Sequence, residues 1–246
     1  MTVKKQIMKT SSGLYDSLFC ALSVGYHVNV VHQINRKKKS KDKLKVLEIG
    51  CFDGRFYEML KEKWCFTDYS GVDYNPTFIG TKAMGDKRTQ FLRCDITDNN
   101  LDGFVDDDSQ DVIVCSEVLE HVECDEQYKV HDIFWSKLRP GGILSVSFPE
   151  NTRDCEYHRL DKEQNLGHVF FPVHEDFIEQ MEARGFELLK YNSGYTIKSC
   201  FGRKKIKDPV YQQLHDNVGP LLARCIYMLY TKEHTGGGYY QFRKPD

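Results

Sequence analysis

Lys45-Val46-Leu47-Glu48-Ile49-Gly50-Cys51-Phe52-Asp53-Gly54-Arg55-Phe56 is the stretch that decides the fold. Val46, Leu47 and Ile49 form a short apolar run that reads as a buried strand, and the glycines at 50 and 54 break it. Phe56 to Lys63 then carries helical spacing. A strand, a glycine-bearing turn and a helix in that order let backbone N–H groups approach a nucleotide-like ligand closely.

Charge around the turn narrows the ligand. Glu48 lies in the strand end and Asp53 in the turn, so negative charge is expected there. A pyrophosphate would be repelled, whereas the aminoacyl group and sulfonium of S-adenosylmethionine (SAM) would be tolerated.

The chain beyond this unit alternates strands and helices. Tyr69-Ser70-Gly71-Val72-Asp73-Tyr74 predicts a second strand ending in an acid, and Asp73 comes 25 residues after Glu48. That is near the roughly 20-residue spacing at which an acid meets ribose hydroxyls in nucleotide-binding βαβ units. A turn-forming Asp before Asn75-Pro76 is the plainer alternative. Gln90 to Ile96 predicts a third strand, with Asp95 placed to accept from an adenine amino group. Asp111 to Cys115 is a fully apolar fourth strand, followed at its C-terminal end by Ser116-Glu117-Val118-Leu119-Glu120-His121-Val122. Open α/β sheets hold ligands at that edge.

A helix from Gln127 to Leu138 is expected to stop at Arg139-Pro140-Gly141-Gly142, and Ile143 to Phe148 reads as a fifth strand. Glu175 to Arg184 is amphipathic, Phe186 to Tyr191 reads as a sixth strand, and Leu221 to Tyr230 as the last. The pattern predicts an α/β, doubly wound, Rossmann-like parallel sheet. Residues 1–43 are expected to hold helices and a basic connector, 44–232 the main domain, and 233–246, with Gly236-Gly237-Gly238, a flexible tail.

Composition bounds the setting. The 246 residues suit one α/β domain, 40% are hydrophobic, and the net charge is -2. Mean hydropathy is -0.54, and no apolar run approaches the roughly 18 residues of a membrane span. The nine cysteines form no C-x-x-C pair, and Cys51, Cys115 and Cys225 fall in apolar runs, so a reduced, cytoplasmic setting is expected. The overall charge does not advertise nucleic-acid binding. The basic runs at 36–45 and 198–207 read either as solvated connectors or as an edge for an anionic partner such as RNA.

The order of these pieces resembles the class I SAM-dependent methyltransferases over about residues 44–190. The resemblance implies a seven-stranded, mostly parallel sheet with an antiparallel last strand, and an insertion at 195–220 near the substrate mouth. It implies that Glu48 and the loop Gly50, Cys51, Phe52, Asp53 and Gly54 hold the methionine part of SAM. Asp73 would hold the ribose and Asp95 the adenine, with Tyr74, Ile96 and Ser116 as further cofactor-binding residues. One departure stands out: Phe52 occupies the position of the family's usual middle glycine, which implies reduced room in the loop.

Glu117, Glu120 and His121 are spaced i, i+3 and i+4, one face if a helix begins there. Two carboxylates and an imidazole on one face suit Mg²⁺ or Mn²⁺. This resembles the RNA 3′-terminal 2′-O-methyltransferases, whose Glu-x-x-Glu-His segment and later His bind a metal; that role would pass to His168 before His174. The same segment also resembles small-molecule O-methyltransferases, where it packs or touches SAM. His121 or His168 is the candidate base that would take a hydroxyl proton. A hydroxyl of a small molecule or sugar-like acceptor is the favoured target, a metal-dependent RNA ribose 2′-O-methyltransferase the alternative, and a non-catalytic SAM-fold module a third. No Asp-Pro-Pro-Tyr or Asn-Pro-Pro-Tyr tetrad follows the fourth strand, and no Pro-Cys pair occurs, which argues against DNA-base methylation.

Overall fold

The computed structural model describes residues 24–38, 44–62, 67–75, 85–98, 101–148, 169, 172–193 and 238–246. Seven strands form one sheet: β1 (Leu44–Ile49), β2 (Thr67–Asp73), β3 (Thr89–Arg93), β4 (Gln110–Ser116), β5 (Leu138–Phe148), β6 (Glu187–Ser193) and β7 (Gly238–Arg243). Their order is β3-β2-β1-β4-β5-β7-β6. The first five are parallel, and β7 runs antiparallel between β5 and β6.

Alternation along the strands builds two cores. Leu47, Ile49, Ile113, Cys115, Leu144, Val146 and Phe148 point to one face, where α3 (Gln127–Lys137) and α4 (His174–Ala183) pack through Val130, Phe134, Phe177 and Met181. Leu44, Val46, Tyr69, Val112 and Val114 point to the other, covered by α1 (residues 24–37) and α2 (Arg55–Glu62) through Val24, Val28, Val31, Phe56 and Leu60. Each such fully buried side chain contributes about 1.5–3 kcal/mol of transfer free energy. Both faces of β1 and β4 are covered, which explains their uninterrupted apolar runs.

Two expectations change. Residues 238–243, expected within a flexible tail, form β7, because Tyr240 and Phe242 alternate into the core and are wholly buried. The strand expected at Leu221–Tyr230 and the insertion at 195–220 lie outside the described residues. β5 also begins earlier than Ile143: Arg139 to Gly142 belong to the strand, with a register irregularity opposite Gln110 and Val112. Gly141 and Gly142 exchange backbone bonds with Lys244, so the end of the chain pins this start of the strand. Among the described residues, no helix is long and apolar enough to cross a membrane.

Candidate active site

The sheet order lines up the sequence-selected groups along the C-terminal strand ends. Asp95 follows β3, Asp73 ends β2, the glycine loop follows β1, Ser116 and Glu117 end β4, and Ser147 nears the end of β5.

The loop is held by its own backbone. The N–H groups of Gly50 and Cys51 donate to the Val72 carbonyl at 2.8 and 3.0 Å, and that of Gly54 to the Cys51 carbonyl at 2.9 Å. Gly50 and Gly54 adopt φ of 78° and 81°. A β-carbon on Gly50 would lie 2.2 Å from Val118 Cγ2, so the loop and the segment after β4 are in intimate contact. Phe52 takes φ 45°, the left-handed conformation a glycine enters freely, at a cost of about 1–2 kcal/mol for an L-residue. Its ring is 38% exposed and lies under the Arg55 guanidinium at 4.9 Å. The Phe52 side chain thus stands on the surface of the loop while the backbone keeps the turn.

The acids differ in state. Asp73 Oδ2 accepts the Phe52 N–H at 2.8 Å and Oδ1 accepts the Asn75 N–H at 2.9 Å. Asp95 Oδ1 accepts from the Thr97 N–H and hydroxyl at 2.9 and 2.8 Å. Ile96 is buried, and Tyr74 is 71% exposed. Asp53 is gripped by the Arg55 guanidinium at 2.9 and 3.1 Å. Glu48 is buried and accepts the Tyr69 hydroxyl; burial pushes its carboxyl up to about 8, with Asp73 and Asp53 adding to the rise. Burial thus favours the neutral form of Glu48, and Asp53 is ion-paired with Arg55, so both lessen the negative charge expected at the loop.

The segment after β4 departs from the expected helix. Glu117 has φ 55°, and its N–H donates to the Ser147 carbonyl at 2.8 Å. This left-handed residue turns the chain before a helix can begin, and only a short 3₁₀ turn, Leu119–His121, follows. Glu117, Glu120 and His121 therefore do not share a helical face: Glu120 is buried, and His121 is exposed. Among the described residues, no three His, Cys, Asp or Glu side chains are placed to hold a metal ion. His168 lies outside the described residues, although the N–H of the next residue, Val169, donates to the Glu120 carbonyl at 2.8 Å. His174 packs into an aromatic cluster, stacked on Tyr191 at 4.0 Å, with Nδ1 3.0 Å from the Tyr240 hydroxyl.

A polar chain not anticipated from sequence reaches Glu117 from α1. The Ser147 hydroxyl donates to Glu117 Oε1 at 2.8 Å and lies 3.1 Å from the Ser116 hydroxyl. His27, fully buried, places Nε2 3.1 Å from Ser147 Oγ and Nδ1 2.8 Å from Ser145 Oγ. Burial lowers the His27 imidazole to about 3, so it is neutral. The signal was present in Ile143-Leu144-Ser145-Val146-Ser147-Phe148: two serines alternating in a buried strand require a polar partner on one face.

Comparison with known proteins agrees with this architecture. Residues 29–191 match the family model described as a methyltransferase domain. A malonyl-acyl-carrier-protein O-methyltransferase from Paenibacillus sp. (strain JDR-2) is 24% identical over 194 residues, 75% of this chain; the chain spans 62% of that relative's length. A Haloferax volcanii methyltransferase, solved in a complex with the Trm112 methyltransferase activator, superposes with a TM-score of 0.62 at 16% identity, covering 97% of this chain and 95% of its own. A SAM-dependent methyltransferase from Archaeoglobus fulgidus gives 0.58 at 20% identity, over 94% of this chain and 100% of its own. The chain belongs to the methyltransferase-domain family.

Proposed function

We propose that the protein is a cytoplasmic O-methyltransferase that modifies a hydroxyl of a small molecule or sugar-like acceptor. The observation that carries this reading is the row of groups along one sheet edge: Asp95, Asp73, the Gly50–Gly54 loop, then Ser116 and Glu117. A ligand laid across the crevice would place adenine by Asp95 and Ile96 and ribose by Asp73 and Tyr74. Its methionine part would meet Glu48, Cys51, Phe52 and Asp53, and its reactive end would face Ser116. The cradle fits: Gly50 packs without a β-carbon against Val118, and Asp73 already fixes the loop through Phe52.

SAM supplies a methyl group already activated by its sulfonium, so the protein has to align the acceptor and receive its proton. His121, exposed after β4, is one candidate proton acceptor, and His168 keeps the role expected from the resemblance. The name of the Paenibacillus relative supports oxygen as the atom methylated. A hydroxyl must lose a proton on transfer, and the acids and histidine at this edge provide for that.

Calorimetric titration with S-adenosylhomocysteine, in chelator and then with Mg²⁺ or Mn²⁺, tests the reading. Binding that is indifferent to metal is expected, and no binding in either condition would refute it. Retention of RNA with a steep salt dependence, together with turnover lost in chelator, would instead establish the ribose 2′-O-methyltransferase alternative.

A further inference from the structure

We propose that His27 is a positioning residue that acts through Ser147 to hold Glu117 as a hydrogen-bond acceptor facing the methyl acceptor, and that this selects acceptors bearing an O–H rather than a carboxylate. The proposal rests on the methyl-transfer reading above. It starts from proton counting. A hydroxyl carries one proton. Ser147 gives its proton to Glu117 Oε1, so Ser147 Oγ can only accept from His27 Nε2. A neutral imidazole carries one N–H, so Nδ1 must accept from the Ser145 hydroxyl. Ser145, His27, Ser147 and Glu117 therefore form one directed chain in which every member has a fixed role.

Position supplies the second half. Along the strand order the ribose and adenine acids lie on the β2 and β3 side of the loop, while Glu117 lies beyond it on β4, next to Val118, which touches Gly50. The reactive end of the cofactor therefore points toward Glu117, and the acceptor enters from the β4–β5 side. Glu117 holds a left-handed φ of 55° there, the kind of backbone strain that persists where surrounding structure fixes it. Its N–H on the Ser147 carbonyl and its carboxylate on the Ser147 hydroxyl fix both ends of the residue to β5.

A carboxylate so placed accepts from a hydroxyl and repels a second carboxylate. As the acceptor oxygen gains its bond to the methyl carbon, the S–C bond breaks and its electron pair stays on sulfur. The oxygen's proton, oriented by its hydrogen bond to Glu117, leaves to the proton acceptor of the proposed function or to water.

Sinefungin tests this without a known acceptor. It is the cofactor analogue that carries an amine on carbon where SAM carries its methyl on sulfur, and at neutral pH that amine is a cation. Its affinity relative to S-adenosylhomocysteine, measured by calorimetry on the full chain, reads the negative charge at the methyl position. The wild-type protein is expected to prefer sinefungin by about tenfold, the size of one charge-assisted hydrogen bond. Glu117→Gln should abolish the preference, because it removes the charge while keeping a carbonyl oxygen for the Ser147 hydroxyl. His27→Leu and Ser147→Ala should each reduce it at least about threefold, and His27→Gln, whose amide both donates and accepts, should restore it. Retained S-adenosylhomocysteine binding reports that each variant is folded, and Ser147→Ala serves if His27→Leu is not. Equal preference in all variants, or loss in Glu117→Gln alone, overturns the proposal. Failure to bind S-adenosylhomocysteine at all would overturn the methyltransferase reading itself, a separate result.

Discussion

Asp73 and Phe52 are joined across the loop: the Phe52 N–H donates to Asp73 Oδ2 at 2.8 Å, from a residue held at φ 45°. The bond ties the end of β2 to the turn after β1, so the acid expected to bind ribose also sets the shape of the loop expected to bind methionine. It also explains how phenylalanine stands where glycine is usual, since the donated N–H needs the left-handed backbone and the ring leaves toward solvent.

Phe52→Gly should therefore keep the site. Relief of about 1–2 kcal/mol of left-handed strain is offset by about 0.5–1 kcal/mol of added unfolded-state entropy and by the lost Arg55 contact. Urea denaturation should show a stability within about 1 kcal/mol of wild type, with S-adenosylhomocysteine affinity preserved. A large loss of affinity would mean that the ring itself touches the cofactor.

Asp73→Ala removes acceptors from two backbone N–H groups and from the ribose together. Affinity for S-adenosylhomocysteine should fall about 100-fold, and Asp73→Asn, which keeps one carbonyl oxygen, should fall less. Titration calorimetry decides this, and unchanged affinity in Asp73→Ala refutes the ribose role.

Stability should pass through a maximum near pH 6.5. His27 and His131 are buried and lowered to about 3 and about 4, so below 6.5 the unfolded chain takes up protons that the folded chain refuses. Stability therefore falls as pH drops from 6.5 toward 4. Glu48 acts oppositely: the unfolded carboxyl ionises near 4.5 and the folded one only at about 8, so its contribution is lost as pH rises through that window. Two histidines outweigh one carboxyl below 6.5; above it Glu48 acts first, joined toward pH 9 by Cys51 and Cys115, whose thiols burial holds above their ordinary range. Melting temperatures across pH 4–9 check the shape. Glu48→Gln should flatten the alkaline limb. His131→Phe should flatten part of the acid limb and raise stability, because neither ring nitrogen of His131 has a hydrogen-bond partner among the described residues.

The frame of the fold was legible because Val46, Leu47, Ile49 and Val112 to Cys115 are buried on both sides and read as continuous apolar runs. The places of Asp73 at the end of β2 and of Asp95 just past β3 were legible because each acid closes an apolar run. The shared helical face expected of Glu117, Glu120 and His121 did not form, because i, i+3 spacing presumes a helix and one left-handed residue cancels it. β7 was hidden by a glycine run at its start, although Tyr240 and Phe242 carry strand alternation. His27 was invisible as a long-range partner because its serines lie 118 and 120 residues away.

Gly50 leaves no room for a β-carbon against Val118, and the final prediction separates the two reasons a side chain is resisted there. Gly50→Ala meets a clash, with the new β-carbon 2.2 Å from Val118 Cγ2, and also a positive φ of 78° that alanine resists. The single substitution should destabilise the protein by more than the about 1–2 kcal/mol of backbone strain and abolish measurable S-adenosylhomocysteine binding. Val118→Ala removes the colliding methyl but not the backbone cost. The Gly50→Ala/Val118→Ala double variant should thus recover part of the stability, leaving about 1–2 kcal/mol of residual loss beyond that of Val118→Ala alone. Denaturation of the four proteins in a double-mutant cycle measures the coupling. Strict additivity would show that the loop does not press on the segment carrying Glu117, and that the cofactor loop and the acceptor edge are mechanically independent.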